Sequence, residues 1–513
     1  MSPVRGHAGI GISQFNGLWN RGDVDTAPPD HFTDGNNYDF IGNSSFGTRP
    51  GIAISQNVLV PLTNVKRIYN YPTQSANTLI VLTQDELTGA GSIYHVINST
   101  LVYGPILTIL AMTDFAFVPF AGRGYISPFS DYVNGALTFQ KGLQNDFVYV
   151  YAGDGTPARK AAGSGMTGTM TIANGVAGHT DAGFKIFGFV SQTVSGYNGP
   201  PTILTSFTTA AASSVSFGSI PTSGDPNVVK RLLVATKSIP TYNGNLSGYE
   251  FFFVPNAVIN DNTSTSLNNI SFYDADLLSD ATHLLQNYTS IPAGAVLGLY
   301  HNRLYVAATY TDISLILMSV SGEPEAINQI TGLIVVPLDG NPITNGQELR
   351  DVLYVFKRSK TVAYSDNGNE PSSWQLSPVD AALGTSVHGI ATVLDSGTAS
   401  IDFLIICTYQ GISLFNGTYI TSLYNAPTKE LTWKISTLWQ GLDRNKFGKI
   451  QIVDAPIEKK LYCILPTRQL LVGNYANGLD FKSIRWAPWS FRMGLNTVAI
   501  QNINDIILGA DLN

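Results

Sequence analysis

Charge is scarce in this sequence. Only 13% of its 513 residues are Asp, Glu, Lys or Arg, about half of the roughly 25% usual for a soluble domain. Acidic residues outnumber basic ones, 36 to 29, for a formal charge of −7. That balance excludes a generally basic nucleic-acid binder and leaves open only a local basic patch. A surface with so few charges is expected to be covered in part by other subunits. Cysteine is nearly absent, and one pair is too sparse a framework to staple so long a chain. Cys407 and Cys463 lie in the apolar strand-like runs FLIICTY and KLYCILP. They could bridge if those strands are neighbours, but two buried free thiols are the expected state. No run approaches the 18 apolar residues of a membrane-spanning helix, so no membrane span is expected. The opening MSPVRGHAGIGISQF has no apolar core or cleavage-site pattern, so no secretory leader is expected. Helical periodicity is equally sparse, confined to DATHLLQNY (280–288) and TKELTWKISTLWQ (428–440).

What is present is the material of tight turns and strands: 49 Gly, 24 Tyr and 25 Phe in a chain that is 44% hydrophobic. This predicts an all-β protein of several cores. Residues 1–50 are rich in Gly, Asn, Asp and Pro and read as an extended arm that joins the last sheet and closes the fold. From 51 to 163 come short runs such as KRIYNY, TLIVLT, SIYHVI, FAFVPF and DFVYVYAGDG. Each is closed by turn residues, the pattern of a meander. The same texture returns over 291–513 in VLGLYHNRLYVAAT, VLYVFKRSKTVAYSDNG, FLIICTYQGISLFNG and KLYCILPTRQLLVGNYANG. At about 40–45 residues per four-stranded unit, the roughly 380 residues outside 164–290 accommodate about six to eight blades of a β-propeller. A stack of sandwiches is the competing architecture. Residues 164–290 differ: Ser, Thr, Asn and Gly dominate, and alternating strands such as FKIFGFVSQT, VKRLLVATKS and YEFFFVPNAV predict an inserted β-sandwich. Its ends are expected to lie together, because insertion is tolerated at a surface turn.

The residues that could carry chemistry are dispersed. His7, His31, His95, His179, His283, His301 and His388 are nowhere closer than 18 positions (301 − 283), so no local metal-ligand spacing exists. The aspartate of YAGDGTPARKA (151–161) is explained by a hairpin turn without calcium. The triplet Arg21-Gly22-Asp23 has no hairpin frame. The sequons at Asn43, Asn98, Asn245, Asn262, Asn269, Asn287 and Asn416 fit polar turns better than glycosylation. Asp274, Asp276, Glu323 and Glu325 could supply a carboxylate pair of the kind glycoside hydrolysis needs, yet nothing in the sequence singles one out. In GLYHNRLYVAA (298–308), His301 and Asn302 fit a turn before a strand and Arg303 its first residue. There the guanidinium can bridge carbonyls of a neighbouring blade or pair with an acid. No catalytic, cofactor-binding or metal-binding residue is expected, and no cofactor.

Several segments together resemble a known family. The arm GLWNRGDVDTAPPDHFTDGNNYDF followed by FGTRPG resembles the N-terminus of the tail nozzle, or hub, proteins of short-tailed bacteriophages. LGLYHNRLYVAAT…LILMSVSGEPEAIN, LRDVLYVFKRSKTVAYS, YQGISLFNG and VGNYANGLDFKSIRWAPWSF resemble their blades. The segment over VKRLLVATKS, YEFFFVPNAV and NDNTSTS is similar to their fibronectin-like insert. The sequence departs from the family's pattern at Glu323, where Asp is commoner, and around 205–225. The resemblance implies a structural virion protein of the tail, assembled in the host cytoplasm as a homo-hexameric ring. It also implies contacts to adaptor or portal-side proteins, contacts to tail fibres or a needle, and genomic DNA passing through without specific binding. A carbohydrate-binding or glycan-cleaving propeller is the alternative. In a conduit, clustered Lys and Arg would retain DNA through counterion release. A neutral or acidic lumen is therefore expected, with Lys357, Arg358, Lys459 and Lys460 turned to other subunits or solvent.

Overall fold

The computed structural model describes residues 38–511 apart from 42–44, 49–61, 63, 74–76, 99–100, 135–136, 162–165, 195, 225–227, 242–248, 282–290, 329, 338, 381–382, 395–400, 418–430, 481–482 and 502–504. The runs that lack polar alternation decide the architecture. In NTLIVLTQ (Asn77–Gln84), every residue from Leu79 to Leu82 is buried. A strand with two dry faces needs a sheet packed on each side of it. Radial stacking of blades provides this.

The protein is an all-β propeller carrying an inserted β-sandwich. Among the described residues, seven antiparallel sheets follow one another as blades, and each begins with its innermost strand. The inner strands are Val65–Pro72, Asp114–Phe120, Gly294–Tyr300, Ile343–Leu349, Ile390–Leu394, Gln451–Ala455 and Leu495–Gln501. Neighbouring blades touch all the way round, blade 4 meeting blade 5 at its second strand, Ile401–Cys407. Leu495–Gln501 packs against Val65–Pro72 and closes the ring. The closure is hydrogen-bonded: Ile68 N donates to Thr497 Oγ1 at 3.2 Å and Asn496 Nδ2 to Val65 O at 2.8 Å. Among the described residues the C-terminal hairpin closes the ring, and most of the arm expected to do so lies outside them. Of the arm expected over 1–50, the structure describes a hairpin, Tyr38–Ile41 with Ser45–Thr48. It lies beside the outer strand of blade 6, where Asp39 pairs with Lys460 at 2.8 Å. Arg21-Gly22-Asp23 lies outside the described residues.

One device recurs from blade to blade. Phe120 pairs with Arg123, Tyr300 with Arg303 and Leu349 with Val352, each pair enclosing a two-residue turn with both φ angles positive. Such turns match the right-handed twist of a hairpin. Two residues beyond each pair stands a buried tyrosine: Tyr125, Tyr305 and Tyr354. Blade 6 repeats the offset with Ala455 opposite Lys460 and Tyr462 two residues on. Tyr305 shows what this position does. Its hydroxyl would lie 2.2 Å from a Cβ at Gly298 and 2.6 Å from one at Gly346. Only glycine on both inner strands lets the ring pass between blades 3 and 4.

The insert consists of a three-stranded sheet (Thr171–Asn174, Val215–Gly218, Leu267–Ile270) and a four-stranded sheet (Thr202–Thr209, Gly183–Thr193, Val228–Ala235, Phe252–Ile259). Phe187, Phe189, Phe217 and Phe272 meet edge-to-face between them. Its ends are tied to one residue of blade 2: Ala161 N donates to Val148 O and Val148 N to Ile291 O, both at 2.9 Å. At the loop end Arg231 is fully buried, donating to the carbonyls of Asp261, Pro221 and Ser264. Helix is confined, among the described residues, to short turns including Trp433–Ile435 and Ser436–Gln440 within the expected 428–440. The stretch expected to be helical at 280–288 lies, from residue 282, outside the described residues. No helix among the described residues is long and apolar enough to cross a membrane. Cys407 and Cys463 are free, fully buried, and share one core between blades 5 and 6.

Because the sandwich has its own aromatic core, residues 164–290 expressed alone are expected to fold. Amide exchange should protect Phe187–Val190; a fragment without protected amides would show that the insert depends on the blades.

Candidate functional site

The seven inner strands enclose a cavity of about 600 Å³ on the propeller axis. Its wall is mainly apolar, with Asn70, Asn345, Gln347, His388, Gln451 and Asp454 as polar interruptions. Asp454 accepts from Tyr475 Oη at 2.7 Å, yet burial outweighs that hydrogen bond and pushes its carboxyl up to about 6.

Where the inner strands begin, charged side chains cross the axis. Arg67 of blade 1 clasps Asp114 of blade 2 with two bonds, Nε–Oδ1 at 3.0 Å and Nη2–Oδ2 at 2.6 Å. Its Nη1 donates to Gln451 Oε1 of blade 6 at 2.7 Å. His388, just before blade 5, places Nε2 3.0 Å from Asp114 Oδ2 and Nδ1 3.4 Å from Tyr69 Oη. Gln451 donates to Val498 O at 2.8 Å and accepts from Val498 N at 3.1 Å, which brings in blade 7. Burial alone would raise the Asp114 carboxyl, but Arg67 and His388 together hold it well below the usual carboxylate range. Burial, with Arg67 adding, pushes the His388 imidazole below its ordinary 6.5 against the pull of Asp114. These groups hold one another and present no free nucleophile or base.

The other described histidines divide between structure and a second cluster. His95 is enclosed by Tyr151 Oη at 2.7 Å and Thr78 Oγ1 at 2.8 Å, and burial pushes it down to about 4. His179 meets Ser271 Oγ at 3.2 Å and the Tyr273 ring. His7, His31 and His283 lie outside the described residues. His301 and Asn302 are the two turn residues, as the spacing implies. Arg303 reaches Ser319 O at 3.0 Å, a carbonyl of its own blade rather than of a neighbour. The acidic company of His301 has no local signal in the sequence. Its Nε2 lies 4.0 Å from Glu348 Oε1 and 3.7 Å from Asp351 Oδ1, and its Nδ1 lies 3.3 Å from Asp366 Oδ2. His301, Glu348 and Asp351 offer ligand atoms all within 4.8 Å of one another and could hold a metal ion. Three acids 47, 50 and 65 residues downstream of His301 (348 − 301, 351 − 301, 366 − 301) become neighbours only through blade stacking.

The carboxylates weighed for glycoside chemistry have other tasks. Asp274 pairs with Lys185 and accepts from Ser238 N, and Asp276 accepts from Tyr273 N. Glu325 is buried beside Tyr125, whose phenol burial raises first and Glu325 further. Asp154 accepts from Thr156 N and Oγ1 within its turn. Of the basic residues expected to face subunits or solvent, Lys459 is exposed, whereas the other three need a correction. Lys357 is buried and donates to Ser314 Oγ, Pro337 O and Asp339 across blades 3 and 4. Lys460 is held by Asp39 and Glu458, and Arg358 by Tyr409.

The two enclosed imidazoles set a pH dependence. A group whose folded value lies below its unfolded value of 6.5 stabilises the fold above that pH and withdraws support below it. Urea midpoints should hold steady from about pH 8 to 7 and fall from about 6.5 towards 5, a fall made shallower by Asp454, whose raised carboxyl favours the fold as it protonates below about 6; Asp114 adds its loss only below its ordinary 3.8. His388→Gln should flatten part of the decline; a variant that loses stability as steeply as the parent from pH 7 to 5 would contradict the assignment. Asp114→Asn, which strands a buried guanidinium, should cost about 3–5 kcal/mol.

No family model matches the chain, and no curated protein matches it. Among solved structures it is similar to Hsv2 of Kluyveromyces lactis, at 11% identity over 83% of this chain and 98% of that one, with a TM-score of 0.26. It is also similar to the extracellular domain of a one-component system of B. thetaiotaomicron, at 10% identity over 92% of this chain and 60% of that one, with a TM-score of 0.25. The fold assignment rests on the hydrogen-bonded ladders and the closed ring of inner strands.

Proposed function

We propose that this protein is a structural virion component, the subunit of a hexameric tail nozzle of a short-tailed bacteriophage. In this reading the ring conducts the genome during ejection and anchors adaptor or portal-side proteins and tail fibres or a needle. The resemblance of the arm and blade segments motivates the reading. The observation that carries it is the axis: Arg67, Asp114, His388 and Gln451 span it above a cavity of about 600 Å³. A duplex whose major groove alone is about 12 Å wide cannot thread such a space. In this reading the conduit lies between subunits, around a ring of propellers.

Six copies carry a formal charge of 6 × −7 = −42. Lys357 and Lys460, tied to acids within the chain, are not available to a lumen, which supports a passage over which DNA slides. The alternative, a glycan-binding propeller, draws on the same cavity, whose Asn70, Asn345 and Gln347 could hydrogen-bond a sugar.

Light scattering decides the assembly. The ring is expected at about 330 kDa, six times 55.2 kDa; a monomer at micromolar concentration would sink the nozzle reading. The ring should bind duplex DNA weakly at low salt. Tight, salt-sensitive binding would identify a protein that grips DNA, and saturable binding of a neutral oligosaccharide by the monomer would favour the alternative.

A further inference from the structure

We propose that His301 Nε2, Glu348 and Asp351 bind one divalent first-row transition ion of the zinc class, pinning blade 3 to blade 4. Nε2 stands 4.0 Å and 3.7 Å from the two carboxylate oxygens. These separations are too long for hydrogen bonds. Two ligands each about 2.0–2.2 Å from one tetrahedral ion stand about 3.4 Å apart, so a closing of a few tenths of an ångström by the half-exposed Glu348 and the exposed Asp351 side chains brings them onto a common ion. The imidazole is oriented for this: its Nδ1 faces Asp366 Oδ2 at 3.3 Å, the outer carboxylate that fixes the tautomer of metal-bound histidine. Its ring lies flat on Tyr300, centroids 4.2 Å apart.

Tyr300 organises the rest. Its hydroxyl donates to Asp351 O at 2.9 Å and accepts from Asp366 N at 3.0 Å. One side chain thus fixes the imidazole and the backbone of two of the acids. Among the described residues, no Lys or Arg forms an ion pair with Glu348, Asp351 or Asp366, although the chain neutralises other acids in this way, Asp339 with both Lys357 and Lys360. Three carboxylates around one imidazole leave an excess of negative charge that a divalent cation offsets. A nitrogen among the donors selects zinc, manganese or their neighbours over calcium, which takes six to eight oxygens. The side chain of Asp351 is 90% exposed, which gives an ion a way in.

The ion would have a structural consequence. Asn302, the other turn residue, accepts from Gly322 N at 2.8 Å, and Gly322 O accepts from Tyr197 Oη of the sandwich at 3.4 Å. A cation on His301 therefore fixes the turn on which the insert rests.

The test uses the full chain stripped with chelator and titrated calorimetrically with Zn²⁺ alone. One ion per chain is expected to be lost with Glu348→Gln and Asp351→Asn, each lowering affinity at least tenfold. Asp366→Asn should weaken binding about 10–100-fold. Both ligand variants keep side-chain size, at a half-exposed and an exposed position, and their melting temperature without metal should equal the parent's. Zn²⁺ should raise the parent's melting temperature and not theirs. Co²⁺ should give the parent a visible spectrum with nitrogen coordination that His301→Asn abolishes. Parental affinity in both ligand variants would place the ion elsewhere, no binding at millimolar Zn²⁺ would remove the site, and tighter binding of Ca²⁺ than of Zn²⁺ would refute the ion class.

Discussion

A buried arginine holds this fold to its ring. Arg67, 3% exposed, cannot surrender its proton, and leaving it in the protein interior without partners would cost several kcal/mol. Asp114 and Gln451, with His388 bonded to the far side of Asp114, remove that cost only when blades 1, 2, 5 and 6 stand at their observed places. The network is therefore less a source of stability than a condition on geometry. The same propeller with a blade more or less would bury the charges unpaired. The apolar cores between blades supply the free energy, and the polar crossing of the axis makes one ring size preferable.

Other bonds follow the same logic between neighbours. Ser127 exchanges hydrogen bonds with Gly294 across blades 2 and 3, Lys357 reaches Asp339 across 3 and 4, and Asn345 donates to Val387 O across 4 and 5. Each joins residues far apart in sequence, so the blades cannot be exchanged without loss. The insert escapes this dependence because both its ends meet Val148 and its phenylalanines fill its own core.

How much of this was legible in the sequence depends on the range of the interaction. Strand runs closed by Gly and Asn read out the blades, and the Ser/Thr-rich texture of 164–290 read out the sandwich, because both are local patterns. The turn at His301–Asn302 was legible for the same reason. A further local signal is a turn followed at fixed offset by Tyr125, Tyr305, Tyr354 and Tyr462, two residues long in three cases and four in blade 6, which marks equivalent positions in four blades. The arrival of Glu348, Asp351 and Asp366 at His301 was illegible, since it needs the stagger of two adjacent blades. The burial of Lys357 was illegible too; a lysine between Phe356 and Arg358 looks like a surface residue until Asp339 is set opposite it.

The axis of this propeller is crossed by its own side chains, and the sandwich it carries has a core of its own. The claim beneath this view is that Arg67 and Asp114 act as one unit, and a double-mutant cycle measures that directly. With Arg67→Met, Asp114→Leu and the pair compared by urea unfolding, the account predicts a coupling energy of about 2–3 kcal/mol, the double variant being far less damaged than the sum of the singles. Additivity within about 0.5 kcal/mol would mean that the two charges stand independently and that the ring is closed by something else.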